Sequence, residues 1–401
     1  MKQYYYKCSD CGKEYSAEEI EKSSVYLCPA CGKAEKNRPL RGVLSALYDY
    51  ENLAEKYTRD FFLRLKPGKF WDYAELFPLD TENGKVKNID DEILKRLALL
   101  ENPVLEYEYG EEKILLMDET RNPTFSYKDR ATALVALKAL QMKIGTIAAA
   151  STGNAGSSLA GIAARVGLKS IIYAPKNIPE AKRIQIEAFG AQLTVVDGDY
   201  DAAFDACLED SAKNGWYNRN TAFNPLTIEG KKSAAFDVFI ATKGNLPENI
   251  FVPTGDGVII AGVYKGFFDL LQLGVIEKIP RLIAVQAKGS DAVVRFLQSG
   301  KFEYIPAQTV ADSISAGAPR NLFLAAKAVR ETDGFAVAVS DDEILSAQKE
   351  IARKFGILCE PSSASTFAAF KTAREEIGSQ KNLLLITGNG LKDIEAIKRW
   401  V

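Results

Sequence analysis

One lysine in the first half of the chain has surroundings that suit a chemical role. Lys128 lies in the segment NPTFSYKDRA, between a turn-like Asn-Pro dipeptide and an apolar run, ATALVALKAL, that predicts a helix. A lysine here is either an ordinary surface residue or an amine used as a nucleophile, which condenses with carbonyl groups. The choice between these interpretations depends on what the rest of the sequence supplies.

Four cysteines near the start of the chain have the spacing of a metal site. They form two CxxC pairs, and a glycine follows each second cysteine, which allows a tight turn that points both sulfurs inward. Four thiolates close a tetrahedral zinc site with no open position, so the predicted role of the zinc is structural. Two disulfides are the alternative, and they are rare in proteins without an export signal. The predicted ligands are Cys8, Cys11, Cys28 and Cys31.

The sequence contains no histidine, which removes several classes of catalytic site. Ser-His-Asp and Cys-His nucleophile systems need an imidazole, and so do histidine-ligated metal sites. Acid–base chemistry in this chain therefore falls to lysine, carboxylate or tyrosine side chains, or to a cofactor.

Three glycine-rich loops follow predicted strands and open predicted helices. They are ASTGNAGSS (150–158), PTGDGVIIAG (253–262) and TGNGLKD (387–393). Backbone N–H groups at such junctions bind anions, and glycine lets an anion approach closely. The second loop has Ile260 where a dinucleotide-binding fingerprint has its last glycine, which disfavours that class of ligand. A lysine, anion-binding loops and no histidine favour pyridoxal phosphate, whose aldehyde forms a Schiff base with a lysine and whose phosphate needs N–H donors.

The elements that must position these residues alternate along the chain from about residue 101. Short apolar runs are separated by segments with helical periodicity, which indicates parallel sheets covered by helices on both faces. The expected fold class is α/β with two lobes, plus a small N-terminal ribbon. The predicted strands are KILLM (113–117), TIAAA (146–150), SIIYA (170–174), QLTVV (192–196), NIFVP (249–253), LIAVQ (282–286), FAVAV (335–339) and NLLLI (382–386).

Composition shifts along the chain predict its division into domains. The start is polar and rich in cysteine, and an aromatic stretch ending in KFWDYAELFP is expected to lie against the main body. The expected regions are a zinc ribbon (1–38), a linker with the first part of a large domain (39–121), a small mobile domain (122–232) and the rest of the large domain (233–401).

Composition and charge also limit the partners. The 401 residues carry a net charge of −2, so no basic field attracts nucleic acid. The first residues lack the apolar core of an export signal, and no apolar run is long enough to span a membrane. We therefore expect a cytoplasmic protein with a small-molecule substrate and without nucleic-acid or membrane partners.

The motifs together resemble those of one enzyme family. NPTFSYKDRA resembles the NPTxSFKDR signature of threonine synthases, which are fold-type-II (tryptophan-synthase-β-like) pyridoxal-phosphate enzymes. STGNAG resembles the family's substrate-carboxylate loop, and NTAFNPLTIEGKKSAAFDV, PTGDGVIIAG and TGNGLKD are similar to three further motifs. The resemblance runs from about residue 100 to the C-terminus, and an N-terminal zinc ribbon occurs in this group. Such enzymes are often dimers, so the resemblance implies a homodimer that binds an amino acid.

The resemblance implies which residues bind the cofactor. Lys128 would hold pyridoxal phosphate covalently and then shuttle protons. Asn154 would bond the ring hydroxyl oxygen, and Thr387 would face the pyridine nitrogen. Backbone N–H groups would donate to the phosphate from Thr254, Gly255, Asp256, Gly257 and Val258.

Further residues are implied for the substrate. Asn220 and Asn224 either contact it or only stabilise loop turns. The substrate α-carboxylate would be bound by Ser151, Thr152, Gly153 and Ala155.

Two segments depart from the threonine synthase pattern. DSISAGAPRN (312–321) lacks the arginine of the family's S-I-R-I-G-N-P segment, and Asp205 stands where a basic residue is expected. A substrate phosphate needs cations, so these departures concern the substrate more than the cofactor. The candidate replacements are Arg130, Lys182, Arg183, Arg219, Lys231 and Arg320.

The reaction implied by the resemblance is that of threonine synthase, which converts O-phosphohomoserine and water to threonine and phosphate. Alternatives with the same cofactor are β-replacement on O-phosphoserine, as in cysteate synthases, and elimination, as in serine/threonine or diaminopropionate ammonia-lyases. A zinc-ribbon binding protein with a degenerate enzyme body is a third hypothesis. The intact Lys128 and the three loops argue against it.

Overall fold

The computed structural model of the chain describes residues 3–22, 25–151, 153–176, 178–378 and 380–401. Thr152, predicted to contact the substrate carboxylate, lies outside these residues. The described residues contain two large sheets, a small antiparallel sheet near the N-terminus and a separate pair of short antiparallel strands. The strands are β1 (Tyr4–Cys8), β2 (Glu14–Ser16), β3 (Leu44–Tyr48), β4 (Thr81–Glu82), β5 (Lys85–Val86), β6 (Val104–Tyr109), β7 (Glu112–Asp118), β8 (Thr146–Ala150), β9 (Lys169–Pro175), β10 (Gln192–Val196), β11 (Tyr217–Asn218), β12 (Asn249–Pro253), β13 (Arg281–Ala287), β14 (Ala336–Val339) and β15 (Asn382–Ile386).

The larger sheet has six strands in the order β14-β13-β12-β15-β7-β6. All neighbours are parallel except β6 and β7, which pair antiparallel as an edge hairpin. The second sheet has the order β10-β9-β8-β11 and is wholly parallel. All eight strands predicted from apolar runs are present, because a strand covered on both faces is apolar throughout.

Helices cover both faces of the two large sheets, which confirms the α/β class. They begin and end at ordinary signals: α14, for example, starts with a capping box between Ser340 and Glu343 and stops at Gly356, whose φ is 67°. The α-helices are α1 (Ala17–Lys22), α2 (Tyr50–Lys56), α3 (Arg59–Leu63), α4 (Asp91–Arg96), α5 (Lys128–Gln141), α6 (Asn154–Val166), α7 (Glu180–Ala188), α8 (Tyr200–Asn214), α9 (Leu226–Lys231), α10 (Ser233–Ala241), α11 (Val258–Gln272), α12 (Ala292–Ser299), α13 (Leu322–Arg330), α14 (Asp341–Phe355), α15 (Pro361–Thr372), α16 (Arg374–Ile377) and α17 (Ile394–Lys398). Short 3₁₀ helices span Phe70–Leu76, Asp312–Ile314 and Gly390–Lys392.

The aromatic stretch before the large domain packs on the main body, as its composition predicts. The Tyr73 ring stacks on Phe236 of α10 with centroids 4.8 Å apart, and Phe62 lies 5.5 Å from the same ring. The Gly68 N–H also donates to the Asp237 carboxylate at 2.9 Å. Each aromatic pair adds about 0.5–1.5 kcal/mol to the burial of its apolar area.

The cysteine-rich ribbon packs against the main body and shares its hydrophobic core. Its sheet has the order β2-β1-β3, so the third strand lies beyond the predicted boundary at residue 38. Tyr4 and Tyr6 of β1 are buried in the largest hydrophobic core, together with residues of α5 and α10. In the described part of the chain, no helix is long and apolar enough to cross a membrane. The division of the main body into a mobile and a fixed domain stays a prediction.

Candidate active site

A cavity of about 390 Å³ lies at the carboxyl ends of β8, β12 and β15, a size typical of a small-molecule site. In parallel α/β sheets this is the edge where ligands bind. The three glycine-rich loops meet here, because each follows one of these strands. The predicted residues that line the cavity are Lys128, Ser151, Gly153, Asn154, Ala155, Gly255, Asp256, Gly257, Val258 and Thr387.

Lys128 is the first residue of α5, and the loop before it is fixed to the loop after β15. The Tyr127 N–H donates to the Thr387 carbonyl at 2.8 Å, and the Asn389 N–H donates to the Phe125 carbonyl at 3.1 Å. Phe125 has a φ of 67°, a left-handed conformation that is uncommon for a bulky residue. Such strain collects at functional sites, where the surroundings hold the backbone in place.

Lys128 is half-buried and lines the cavity. Burial, followed by the charge of the nearby Arg219 guanidinium, lowers the pKa of Lys128 from 10.5 to about 8. A neutral amine is the nucleophilic form, so this environment prepares Lys128 for reaction with a carbonyl group near neutral pH.

The first loop forms the N-terminus of α6. The Ser151 hydroxyl oxygen accepts hydrogen bonds from the N–H groups of Gly153 at 3.1 Å and Gly156 at 2.9 Å. This hydroxyl therefore holds the loop in shape, and the donors that remain for a carboxylate are N–H groups of the first helical turn, at Asn154 and Ala155, which have no partner within the helix.

Asn154 connects this loop to the other side of the cavity. Its Nδ2 donates to the Glu360 carboxylate at 2.7 Å and to the Ser313 hydroxyl at 3.2 Å. Its Oδ1 is buried and has no hydrogen-bond partner among the described residues. A buried amide with an unused oxygen can accept a hydrogen bond from a ligand in the cavity.

The second loop forms the anion-binding turn before α11. Gly257 has a φ of 81°, and a Cβ there would lie 2.8 Å from the Cβ of Ala325, so only glycine fits. The first N–H groups of α11, from Val258 onward, have no partners within the helix. Thr254 corrects one expectation: its N–H donates to the Val285 carbonyl at 2.7 Å and is not free for a phosphate.

The third loop places Thr387 against the cavity. Its hydroxyl lies 3.2 Å from the Ser363 hydroxyl, which also accepts from the Thr387 N–H at 3.0 Å. Ser363 belongs to the first turn of α15, so this bond fixes the loop to the neighbouring helix. The Thr387 hydroxyl keeps capacity for one further hydrogen bond toward the cavity.

Asn220 and Asn224 are not among the described residues that line the cavity. The Asn224 carboxamide accepts from the Leu226 N–H at 2.9 Å and donates to the Asn218 carbonyl at 2.7 Å, which uses both ends for the local turn. The Asn220 Oδ1 accepts from the Ala150 N–H at 2.7 Å. The Asn224 geometry therefore favours the loop-stabilising interpretation, whereas the Asn220 Nδ2 has no hydrogen-bond partner in the described residues, and its role stays a prediction.

Four of the six candidate cations are already paired. Arg130 is fully buried between the Glu119 and Asp237 carboxylates, each 2.6 Å away, so it is not available to a phosphate. Lys182 lies 2.6 Å from Asp312, and although burial opposes its charge, Glu360 and Asp312 raise the pKa of Lys182. The two others are Arg183, exposed and 3.1 Å from Glu187, and Arg320, at the cavity with the Asp201 carboxylate.

The other two cations, Lys231 and Arg219, keep unused donors. Lys231 lines the cavity and is fully buried, and its Nζ has no hydrogen-bond partner in the described parts of the chain. Arg219 is also fully buried, and its Nη2 is likewise without a described partner, while its other nitrogens contact Thr132 and Thr221. Burial lowers the pKa of Arg219 to about 10.

Two residues of the site were not predicted, because the sequence around them gives no sign of a contact with a ligand. Glu360, buried beside Asn154, precedes Pro361 at the start of α15, which marks only a helix start. Asn37 lines the cavity although it lies in the ribbon, and the segment around it is bound to the main body: the Leu40 N–H donates to the Arg320 carbonyl at 2.9 Å, and Lys36 pairs with Asp199 at 2.8 Å.

The four ribbon thiols converge as their spacing predicts. All four sulfurs lie within 4.8 Å of one another, with 3.5 Å between Cys8 and Cys31 and 3.7 Å between Cys11 and Cys28. A disulfide requires about 2.05 Å, whereas zinc–sulfur bonds of about 2.3 Å in a tetrahedron separate the sulfurs by about 3.8 Å. The thiols are free, and their geometry fits a tetrahedral metal site.

Comparisons with known proteins agree with this geometry. The sequence model of the family described as "Pyridoxal-phosphate dependent enzyme" matches residues 94–388. The chain belongs to this family. It is 32% identical to a threonine synthase of Methanocaldococcus jannaschii over 400 residues, which cover 98% of this chain and 94% of the relative. It is 31% identical to a threonine synthase of Methanosarcina acetivorans, with 98% and 93% covered. The resemblance to threonine synthases is thus confirmed, and the chain is a pyridoxal-phosphate-dependent lyase.

Solved structures confirm the fold. A maize serine racemase superposes with a TM-score of 0.66 at 20% identity, covering 77% of this chain and 95% of the racemase. At this identity the likeness concerns the fold alone.

The residues around the cavity also fit the cofactor of the family. A lysine with a lowered pKa suits an aldehyde, and a glycine turn at a helix N-terminus suits a phosphate. A ring hydroxyl is matched by buried polar atoms that have no partner among the described residues.

Proposed function

We propose that the protein is a threonine synthase, which converts O-phosphohomoserine and water to threonine and phosphate. The observation that carries the proposal is the similarity to two threonine synthases over 98% of the chain, ribbon included.

The cofactor is assigned to the residues on three sides of the cavity. Lys128 would hold it covalently, and the turn at Gly255, Asp256 and Gly257 with the N-terminus of α11 at Val258 would bind its phosphate. Asn154 would bond its ring hydroxyl oxygen, and Thr387 would face its ring nitrogen. When bound, pyridoxal phosphate supplies an electron sink that stabilises negative charge at the substrate α-carbon.

The chain's own groups bind the amino acid and move its protons. The N-terminus of α6, at Asn154 and Ala155, binds the α-carboxylate through N–H groups and the helix dipole. The Lys128 amine removes the α-proton and then a β-proton, for which its lowered pKa suits it. Phosphate leaves from the γ-carbon with the electrons of the C–O bond. Protons return to the γ-carbon and the α-carbon, and water adds its hydroxyl to the β-carbon and gives its remaining proton to the phosphate.

A substrate with a distal phosphate needs a cation in or beside the cavity. Arg320 meets this need, because it lines the cavity and its guanidinium contacts, in the described residues, the Asp201 carboxylate, the Glu35 carbonyl and the Phe204 ring. Substrate phosphate replaces Asp201 as its partner. Arg320→Met should then raise KM for O-phosphohomoserine while leaving cofactor binding intact.

The decisive experiment is product analysis with each candidate amino acid. O-phosphohomoserine should give threonine and phosphate in equal amounts, and O-phosphoserine, serine and diaminopropionate should give no product at a comparable rate. Lys128→Ala should abolish turnover. Formation of a 2-oxo acid and ammonia from any of these compounds as the main reaction would assign an elimination function instead.

The ribbon is assigned a structural zinc ion at Cys8, Cys11, Cys28 and Cys31, which the free, convergent thiols support. Metal analysis of the purified protein should give one zinc per chain. The homodimer and the cytoplasmic setting expected from the sequence stay predictions.

A further inference from the structure

Lys231 is a fully buried amine that makes no hydrogen bond in the described part of the chain. The next lysine shows the contrast: Lys232 is equally buried but lies 2.7 Å from Glu229 and 2.8 Å from Asp269. A buried amine without a partner costs free energy, so its retention points to a partner that the protein binds.

The backbone around Lys231 is fixed by contacts on both sides. The Tyr127 hydroxyl donates to the Lys231 carbonyl at 2.8 Å, which ties the end of α9 to the residue before Lys128. On the other side, a Cβ on Gly262 of α11 would lie 2.7 Å from the Lys231 Cβ. This glycine lets α9 approach the first turns of α11, whose N-terminus is the anion-binding turn, and Lys231 and that turn line the same cavity.

That turn also contains an acidic residue. Asp256 lines the cavity, and its carboxylate accepts the Arg320 N–H at 3.3 Å, while its carbonyl accepts the Asn321 N–H at 2.9 Å. The acid thus has a structural use at the start of α13. Its charge nevertheless lies beside a site for a phosphate dianion, where it opposes binding unless a cation offsets it.

We propose that Lys231 donates a charge-assisted hydrogen bond to the phosphoryl group held by the 255–258 turn, and that it offsets the charge of Asp256 there. The inference rests on the assignment of pyridoxal phosphate to this cavity and is independent of which amino acid is the substrate. The phosphate gives the Lys231 amine the partner it lacks, and the amine adds a cation to a turn that otherwise offers only N–H groups. Burial lowers the pKa of Lys231 well below its ordinary value, with Lys128 and Arg219 adding to the shift, so the dianion also restores its proton.

The test compares two ligands that differ only by the phosphate. Apo-protein is titrated with pyridoxal phosphate and with pyridoxal, and binding is followed by the visible absorbance of the bound ring. Lys231→Met should raise Kd for pyridoxal phosphate by about 10- to 100-fold, the factor for one hydrogen bond to a charged group. Kd for pyridoxal should change by less than about twofold. Lys231→Arg should recover part of the loss.

A matched control is Lys265→Met, which removes another buried lysine, from helix α11 rather than from α9, where Lys231 lies. Lys265 pairs with Asp269 and does not line the cavity within the described residues. This variant should lower thermal stability and leave the ratio of the two Kd values unchanged. Lys231→Met removes an unpartnered amine, so the apo-protein of this variant should melt no lower than wild-type apo-protein. Its holo-protein should melt at a lower temperature than wild-type holo-protein, because the cofactor is bound less tightly.

Three outcomes would overturn the proposal. An equal loss of affinity for both ligands, with a lower melting temperature of the apo-protein, would show a structural role. An unchanged Kd for pyridoxal phosphate would show that the amine does not touch the phosphate. An unchanged Kd together with a raised KM for a phosphorylated substrate would assign Lys231 to the substrate phosphate instead.

Discussion

The lowered pKa of Lys128 predicts how fast the protein binds its cofactor at different pH values. With a pKa of about 8, about one amine in eleven is neutral at pH 7, whereas about one in 3,000 would be neutral at the ordinary pKa of 10.5. Only the neutral amine attacks a carbonyl group. Apo-protein at pH 7 should therefore react on the order of 300 times faster per lysine than an unperturbed amine of equal nucleophilicity.

The assay is stopped-flow mixing of apo-protein with pyridoxal phosphate between pH 6 and pH 10, followed by the visible absorbance of the product. The rate should rise about tenfold per pH unit below pH 8 and level off above it, because the amine is then already neutral. Nα-acetyl-lysine is the reference, and its rate should keep rising toward pH 10. Dividing the rate profile of the protein by that of Nα-acetyl-lysine cancels the effect of pyridoxal phosphate ionisation, which both reactions share. Lys128→Ala should give no signal.

The cause of the shift is separately testable. Burial is the larger cause and the Arg219 guanidinium the second, so Arg219→Gln should move the midpoint upward by about one pH unit or less and leave it well below 10.5. A wild-type profile that follows the reference to pH 10 would refute the lowered pKa. A variant whose midpoint returns fully to 10.5 would refute the attribution to burial.

Three further predictions concern stability, metal and motion. Arg130→Met should destabilise the protein by about 3–5 kcal/mol in denaturant unfolding, because it leaves two buried carboxylates unpaired. Cys8→Ser with Cys11→Ser should release one equivalent of zinc in a chelator assay and leave the cofactor bound, while KM for substrate rises because the ribbon contributes to the cavity wall. Binding of a substrate-like amino acid should increase hydrogen-exchange protection in residues 150–158, as the loop captures the carboxylate and the small domain closes.

Each of these predictions has its own control. Arg183→Met removes an exposed arginine with a single ion pair, and its effect should stay within about 0.5 kcal/mol. Loss of cofactor on chelation would contradict a purely structural zinc site. Uniform protection along the chain, or none in the loop, would contradict closure of the small domain.

The strands and loops of the main body were predictable because their signals are local. A strand inside a parallel sheet is apolar along its whole length, and the turn after it needs glycine where an anion approaches. The edge strand β6, with the sequence VLEYEY, was missed because it lies at the margin of the sheet and alternates apolar with acidic residues. Strand β3 was missed because its partner β1 lies about forty residues away, and such pairing leaves no mark in its own sequence.

The roles of charged residues were less predictable, because an ion pair depends on distant parts of the chain. From the sequence, Arg130 and Lys231 were equivalent candidates for a phosphate ligand. In the fold, Arg130 meets Asp237, more than a hundred residues away, whereas Lys231 meets no described partner. The hydrogen bond of the Thr254 backbone was unpredictable for the same reason, because its N–H donates to Val285 of strand β13, which is about thirty residues away.

The cysteine motif of the ribbon was identified from the sequence, but the contact of the ribbon with the cavity was not. The spacing of the cysteines predicts a metal site, and the polar composition of residues 1–38 predicts a separate unit. The fold joins the two: at the second cysteine pair, the Cys28 N–H donates to the Gly42 carbonyl at 2.7 Å. The chain between these residues runs past the cavity, places Asn37 in its wall and bonds to Arg320 through Leu40. Arg320 is the residue assigned to the substrate phosphate. A zinc ion that holds the second cysteine pair in place would therefore also hold one side of the substrate site, and loss of the zinc should weaken substrate binding.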